Sequence, residues 1–239
     1  MIFFAESLDR RYREPELMDQ PDLDKQLHEQ ALKGLARVNW ISGNVATLWM
    51  RIRQLAEQNT GDELHVLDVA CGGGDTAIAL SRRAKEAGIP IQISGCDISP
   101  TAVEYATAQA KAADVDVTFF QTDVIHEPLP AGIDVVCCSL FLHHLDEDDV
   151  IRLFSVMREA ADRMILVNDL IRSRWGYLLA WCGIRMLTRS RICHVDGPLS
   201  VRAAFTLDEA VRLAEQAGLQ DVEATSHWPQ RFLLTWRRT

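Results

Sequence analysis

His65-Val66-Leu67-Asp68-Val69-Ala70-Cys71-Gly72-Gly73-Gly74-Asp75-Thr76-Ala77 is the stretch on which the reading of this chain turns. The apolar run Leu64 to Ala70 predicts a buried strand. Three consecutive glycines then make a turn with no side chain to obstruct a ligand, and a helical pattern begins at Thr76. Strand, bare turn and helix N-terminus in that order present backbone N–H groups to whatever binds there.

Outward from this stretch, strand and helix alternate. The helix Thr76 to Ala87 closes at Gly88 and Pro90, and Ile91 to Cys96 is a strand. Pro100 to Ala113 is a helix with Ser99 as N-cap and proline at its first position. Val117 to Gln121 and Ile133 to Ser139 are strands three and four, Asp146 to Ala160 a helix, and Met164 to Asn168 strand five. This rhythm predicts an α/β fold with a parallel sheet covered on both faces.

The two ends differ from the middle. Residues 1 to 21, broken by Pro15 and Pro21, read as an arm. Leu23, Leu27, Ala31, Leu35 and Val38 form one apolar helix face, and a second helix runs from about Ile41 to Gln58, ending near Asn59-Thr60-Gly61. These two helices form a lid, a dimer surface or a plain cover for the sheet. After strand five, Ser173 to Leu187 reads as an apolar helix, and Ser190 to Ala204, with Gly197-Pro198, as a loop. Thr206-Leu207-Asp208-Glu209 is a capping box opening a helix to Ala217, with Gly218 as its C-cap. Val222 to Trp228 and Phe232 to Arg237 are strands joined so tightly by Pro229-Gln230 that they must pair antiparallel. Seven strands result. The expected division is an arm and helical lid over residues 1–60, and a domain over 61–239 with an inserted cap helix at about 173–204.

Bulk properties narrow the function classes. A 239-residue chain suits one α/β domain with additions. Its formal net charge of −9 argues against a nucleic-acid partner, which needs a basic face. The clusters Arg10, Arg11, Arg13 and Arg172, Arg174, Arg185, Arg189, Arg191 read as solvated surface. Six cysteines without a CxxC pair, three of them (Cys96, Cys137, Cys138) inside apolar strands, fit a reducing cytoplasm, and no metal is expected. Met1-Ile2-Phe3-Phe4-Ala5-Glu6 is too short and too soon acidic for a signal peptide. The longest apolar stretch, Trp175 to Leu187, is too short for membrane insertion.

The glycines alone admit two ligands. Gly72-x-Gly74-x-x-Ala77, followed by Asp97 at a strand end, satisfies a dinucleotide fingerprint. Asp75, however, stands where a pyrophosphate would lie, and two unit charges ~4 Å apart repel by ~4 kcal/mol at an effective dielectric of ~20. With Asp68 the pocket suits a ligand carrying an ammonium and a sulfonium. Asp75 is also explained as a residue stabilised by the helix dipole.

In these motifs, in order over residues 64 to 170, the chain resembles the class I S-adenosylmethionine-dependent methyltransferases. Val66 to Gly74 resembles their first motif, with Ala70 in place of the usual first glycine. Gly95-Cys96-Asp97-Ile98-Ser99 resembles the second, which implies that Asp97 accepts from both ribose hydroxyls. Gln121-Thr122-Asp123-Val124 resembles the third, implying that Asp123 meets the adenine amino group beside Val124. Asp134 to Ser139 resembles the fourth, bordering the methyl group. The resemblance implies a Rossmann-like, seven-stranded, mostly parallel sheet with a C-terminal antiparallel hairpin. It also implies a cofactor site of Asp68, Ala70, Gly72, Gly74, Asp97, Ile98, Asp123, Val124 and Ser139. The Arg10 to Arg13 arm would fold over the cofactor carboxylate.

Phe141-Leu142-His143-His144-Leu145 puts two imidazoles just past strand four, with general base toward a phenol or carboxylic acid as the chemical role and His144 ahead of His143. Packing histidines that cap the next helix are the alternative. Asn168, Trp175, His194 and Arg202 are the candidate substrate contacts, and His194 with Asp196 forms a second base pair to consider. The resulting expectation is O-methylation of a hydroxylated aromatic or polyketide-like small molecule. Three alternatives stand beside it: C-methylation of a quinone-type ring, a dinucleotide-binding reductase and a non-catalytic cofactor-binding protein. A homodimer remains an option for the lid.

Overall fold

The computed structural model describes residues 8–20, 23–58 and 63–238. Helices α1 (Lys25–Ile41) and α2 (Asn44–Gln58) precede β1 (Leu64–Val69). There follow α3 (Asp75–Ala87), β2 (Ile91–Asp97), α4 (Pro100–Ala112), β3 (Val117–Gln121) and β4 (Ile133–Ser139). Then come α5 (Glu147–Ala160) and β5 (Ala161–Leu170). Helices α6 (Arg174–Leu187), α7 (Arg191–Ala203) and α8 (Leu207–Gln216) lead to β6 (Glu223–His227) and β7 (Arg231–Arg237). The seven strands form one sheet in the order β3-β2-β1-β4-β5-β7-β6. β1 to β5 pair in parallel, while β7 runs antiparallel to both β5 and β6. This is the expected α/β, Rossmann-like sheet with its terminal hairpin. The expected signal-peptide test at Met1 to Glu6, the Pro21 break and the helix end at Asn59-Thr60-Gly61 lie outside the described residues.

Strands covered on both faces read as continuous apolar runs because neither side meets water. β4 illustrates this. Val135 and Cys137 enter the core shared with α2 and α3 (Leu48, Ile52, Leu80), while Val136 and Cys138 enter the opposite core with α5 and α8 (Phe154, Leu213). The capping box is present as expected: Thr206 accepts from Glu209 N–H while the Glu209 carboxylate accepts from Thr206 N–H. Gly218, just past the end of α8, adopts φ +85°.

One prediction fails. The expected loop from Ser190 to Ala204 is instead helix α7 (Arg191–Ala203), with Pro198 inside it and Ser190 as the N-cap, accepting from Cys193 N–H. Gly197-Pro198 read as a break, but the glycine serves close packing instead. A Cβ there would lie 1.8 Å from Ile184 Cδ1 of α6. Helices α6 and α7 thus pack as a hairpin, and with α1 they enclose Ala31, Ile184, Ile192 and Cys193. No helix among the described residues is long and apolar enough to cross a membrane.

Candidate functional site

At the edge where the parallel strands end, polar residues face α1–α3 on five neighbouring strands. They are Asp97 on β2, Asp68 on β1, Ser139 on β4, Asn168 on β5 and Arg231 on β7. Deeper in, the same positions are apolar (Val66, Cys137, Leu166, Leu233), so the polarity is confined to the rim. Open α/β sheets bind ligands at this rim.

The glycine turn sits over it. Cys71 N–H donates to Cys96 O, and Gly72 N–H donates to Asp97 Oδ2 at 2.8 Å, while Asp97 Oδ1 accepts from Ser99 N–H at 2.9 Å. Each carboxylate oxygen offers two lone-pair sites, so Asp97 is oriented by the chain and retains acceptor capacity toward hydroxyl groups. Gly74 holds φ +73°, and a Cβ on it would meet the Phe119 ring at 2.6 Å. Ala70 holds φ +52° despite its Cβ, a strain of order 1–2 kcal/mol. Strained backbone of this kind clusters at functional sites.

Behind the turn, Asp68 is 1% exposed; its Oδ1 meets only the Cys137 thiol at 3.7 Å, and Oδ2 has no partner. Burial, reinforced by the nearby Asp75 charge, pushes its pKa up to about 8. Burial also raises Asp75, against the hydrogen bond donated by Asn39 Nδ2 at 3.2 Å. Asn39 Oδ1 in turn accepts from Arg231 Nη2 at 3.2 Å. Asn44 continues the polar layer, donating to Thr76 Oγ1 and accepting from Ser139 Oγ.

The opposite face of the same rim carries a second cluster. His143 is buried with Nδ1 2.7 Å from Asp169 Oδ1, which also accepts from Leu170 N–H. Burial would raise Asp169, but the His143 ring outweighs it and holds the carboxyl below its usual range. The Nε2 atoms of His143 and His144 approach the two oxygens of Glu16, at 3.7 and 3.9 Å. Glu16 Oε1 also accepts from Ser200 Oγ at 2.5 Å. Glu16, His143 and His144 each bring one ligand-capable atom within 4.8 Å of the others, a set able to hold a divalent ion. No metal was expected from the sequence.

The arm is built into this cluster. Arg11 donates to the carbonyls of His143, Leu145 and Ala203 and lies 3.9 Å over the Phe205 ring; Arg13 donates to the His144 carbonyl. The two guanidiniums therefore secure the histidine turn, where folding over the cofactor carboxylate was expected. Leu17 and Met18 N–H groups donate to Asp196, and His194 Nε2 lies 2.7 Å from the Thr188 carbonyl. Both members of the expected second base pair are thus engaged in holding the cap. Arg202 lies 4.6 Å over the Tyr12 ring, and Trp175 is 70% exposed. Asp123 accepts from Ile125 N–H and contacts His126 Nδ1 at 2.8 Å. Slight burial works against it, but the His126 and Ile125 bonds hold it below its usual range. Val124 is buried and Ile98 is 61% exposed.

Sequence reasoning missed Glu16, Asn39, Arg172 and Arg231. Arg172, assigned to solvated surface, is 7% exposed; it forms two bonds to Glu209 (2.9 and 2.7 Å) and donates to the carbonyls of Leu8 and Ala204.

Comparison with known proteins decides what the glycine turn belongs to. A family model described as "Methyltransferase domain" matches residues 66–162, the span from β1 to the start of β5. Residues 66–162 thus match a methyltransferase domain. Over 160 residues it is 28% identical to the ubiquinone biosynthesis O-methyltransferase of Pseudomonas entomophila, covering 64% of this chain and 60% of that one. It is 37% identical over 75 residues to the demethylmenaquinone methyltransferase of Deinococcus radiodurans, 31% of this chain and 30% of that one. A solved SAM-dependent methyltransferase from Aquifex aeolicus superposes with TM-score 0.62 at 18% identity, covering 91% of this chain and all of that one. This last likeness is one of fold. The chain thus spans about 60% of the length of the ubiquinone-biosynthesis relative.

The cofactor of the methyltransferase domain is S-adenosylmethionine, and the residues at the rim fit it. The bare turn ends in Gly74, at φ +73°, where a Cβ would meet the Phe119 ring. An oriented aspartate stands at the end of β2, where hydroxyls need an acceptor. A buried aspartate oxygen without a partner faces the place where a cationic group would be neutralised.

Proposed function

We propose that this chain is an S-adenosylmethionine-dependent O-methyltransferase acting on a hydroxylated aromatic or polyketide-like small molecule. When bound, the cofactor supplies an electrophilic methyl carbon on a sulfonium. Asp97 accepts from its ribose hydroxyls, with Ile98, Asp123 and Val124 beside the base. Ala70, Gly72 and Gly74 admit the amino-acid end, and Asp68 and Ser139 face its positive charges. The acceptor lies toward β5, near Asn168 and the histidine turn.

The observation that carries the O-methylation reading is the buried His143–Asp169 pair at 2.7 Å. With Nδ1–H donated to Asp169, the His143 lone pair is on Nε2, the tautomer of a general base. This reading places His143, anchored by Asp169, ahead of His144. A positioned base contributes typically ~10²–10⁴-fold, and holding the hydroxyl in line with the methyl carbon contributes roughly 7–11 kcal/mol more.

The test is turnover of a catechol or other phenol by wild type and His143→Gln. The expected result is a fall in kcat of ~10²-fold or more. Unchanged kcat would remove His143 from the chemistry. C-methylation of a quinone-type ring is kept as the second reading by the 75-residue similarity to a demethylmenaquinone methyltransferase. Carbon-13 NMR of the product distinguishes a methyl on oxygen from one on carbon.

A further inference from the structure

The polar rim ends in a cation that the methyl-donor chemistry leaves unused. Arg231, 2% exposed, donates Nη2 to Asn39 Oδ1, while its Nε and Nη1 meet no acceptor. Asn168 is fully buried, and both of its amide atoms lack a partner. In the β5–β7 register Leu170 stands opposite Arg231 and Leu233 opposite Asn168. Asn168 and Arg231 are therefore diagonal neighbours on one face, ~7–8 Å apart at the backbone and within reach of a long side chain.

The charges around Arg231 do not neutralise it directly. Asp75 is reached only through Asn39, and Asp169 points to the other face, where His143 holds it. Burial lowers the Arg231 pKa to about 10, so the group remains a cation at neutral pH. A planar guanidinium with unfilled donors beside an amide N–H is a donor set matched to the two oxygens of a carboxylate.

We propose that Arg231 and Asn168 form a carboxylate-binding site at the rim of the sheet, on the face that carries Asp68 and Ser139. The proposal rests on the methyltransferase reading for its place in the reaction. Two carboxylates could reach it: one on the acceptor, which would make the substrate a small aromatic acid, or the α-carboxylate of the methyl donor.

The experiment is calorimetry on the full chain. Benzoate is titrated against benzamide, with and without S-adenosylhomocysteine, and S-adenosylhomocysteine is compared with 5′-methylthioadenosine, which lacks the amino-acid end. The decisive variant is Asn168→Asp, which is isosteric and places an internal carboxylate beside Arg231. It is expected to raise Tm, so lost binding cannot be mistaken for unfolding. If the acceptor is the source, Asn168→Asp weakens benzoate roughly 30-fold or more and leaves benzamide unchanged. If the donor is the source, the preference for S-adenosylhomocysteine over 5′-methylthioadenosine falls by a similar factor. Arg231→Gln is expected to give the same loss. Benzoate binding and that preference both staying within about threefold of wild type would overturn the proposal. Failure of wild type to bind S-adenosylhomocysteine would instead count against the methyltransferase reading, with the benzoate arm on the cofactor-free protein still deciding the site.

Discussion

Replacing Asp68 with asparagine should stabilise the cofactor-free protein by an amount that grows with pH. Burial pushes the Asp68 pKa up to about 8 in the folded chain, against 3.8 for an ordinary aspartate. Between those values the folded chain keeps a proton that the unfolded chain has released. Stability from this group is therefore fully present below pH 3.8 and is lost as pH rises toward 8. Each pH unit in that window is worth about 1.4 kcal/mol, so wild type should lose about 3 kcal/mol relative to Asp68→Asn between pH 5 and 7. Groups that titrate alike in both proteins cancel in the difference. Urea denaturation of the two proteins at pH 5, 6 and 7 measures it directly, with equal m-values as the check that the same surface unfolds. A pH-independent difference would refute the argument, because it would mean that Asp68 is already ionised in the fold. The same reasoning links proton and cofactor. An ammonium approaching Asp68 should expel its proton, so S-adenosylhomocysteine binding at pH 7 should release protons in wild type and fewer in Asp68→Asn. Calorimetry in two buffers of different ionisation enthalpy reads this.

Gly197→Ala should cost roughly 1–3 kcal/mol, since its Cβ would overlap Ile184 Cδ1; adding Ile184→Val, which removes that methyl, should recover much of the loss in chemical denaturation. Arg172→Gln should cost roughly 3–5 kcal/mol, because it breaks both bonds to Glu209 and those to the Leu8 and Ala204 carbonyls; an unchanged Tm would show that the partners re-pair. Asp196→Ala removes the acceptor of the Leu17 and Met18 amides and should speed tryptic cleavage in the Arg10–Arg13 arm roughly tenfold, from the loss of ~1.4 kcal/mol of local stability.

The sheet was legible because its strands are buried on both sides, so Ile133 to Ser139 reads as an unbroken apolar run whichever face each residue takes. The acids were legible for a related reason: Asp97 ends β2 and Asp68 is the penultimate residue of β1, each a charge within or at the end of an apolar run. Helix α7 was not, because Gly197-Pro198 carries the same letters as a break, and its close approach to Ile184 exists only in three dimensions. Glu16 gave no local sign, since its partners lie 127 and 128 positions further along the chain. Arg231 did offer one: it is a cation at the head of the buried run Phe232 to Trp236, and an unpaired charge in such a run asks for a partner. Which partner it found, Asn39 on a helix 192 positions away, is a property of the fold alone.

The two polar clusters lie at the same rim on opposite faces of the sheet, and the arm is built into the second of them. On the α1–α3 face, acids raised by burial surround the glycine turn, so negative charge is held back until a cation arrives to stabilise it. On the other face, Asp169 is held ionised by His143, so that imidazole is oriented before any substrate enters. Arg11 and Arg13 fix the same turn from its backbone side through the carbonyls of His143, His144 and Leu145, while Glu16 covers the imidazoles from their open side. One segment thus both holds the histidine turn and lies against its imidazoles. On the proposed reading, an acceptor hydroxyl at His143 Nε2 would compete with the Glu16 carboxylate 3.7 Å away, so Glu16 sets what that imidazole can meet.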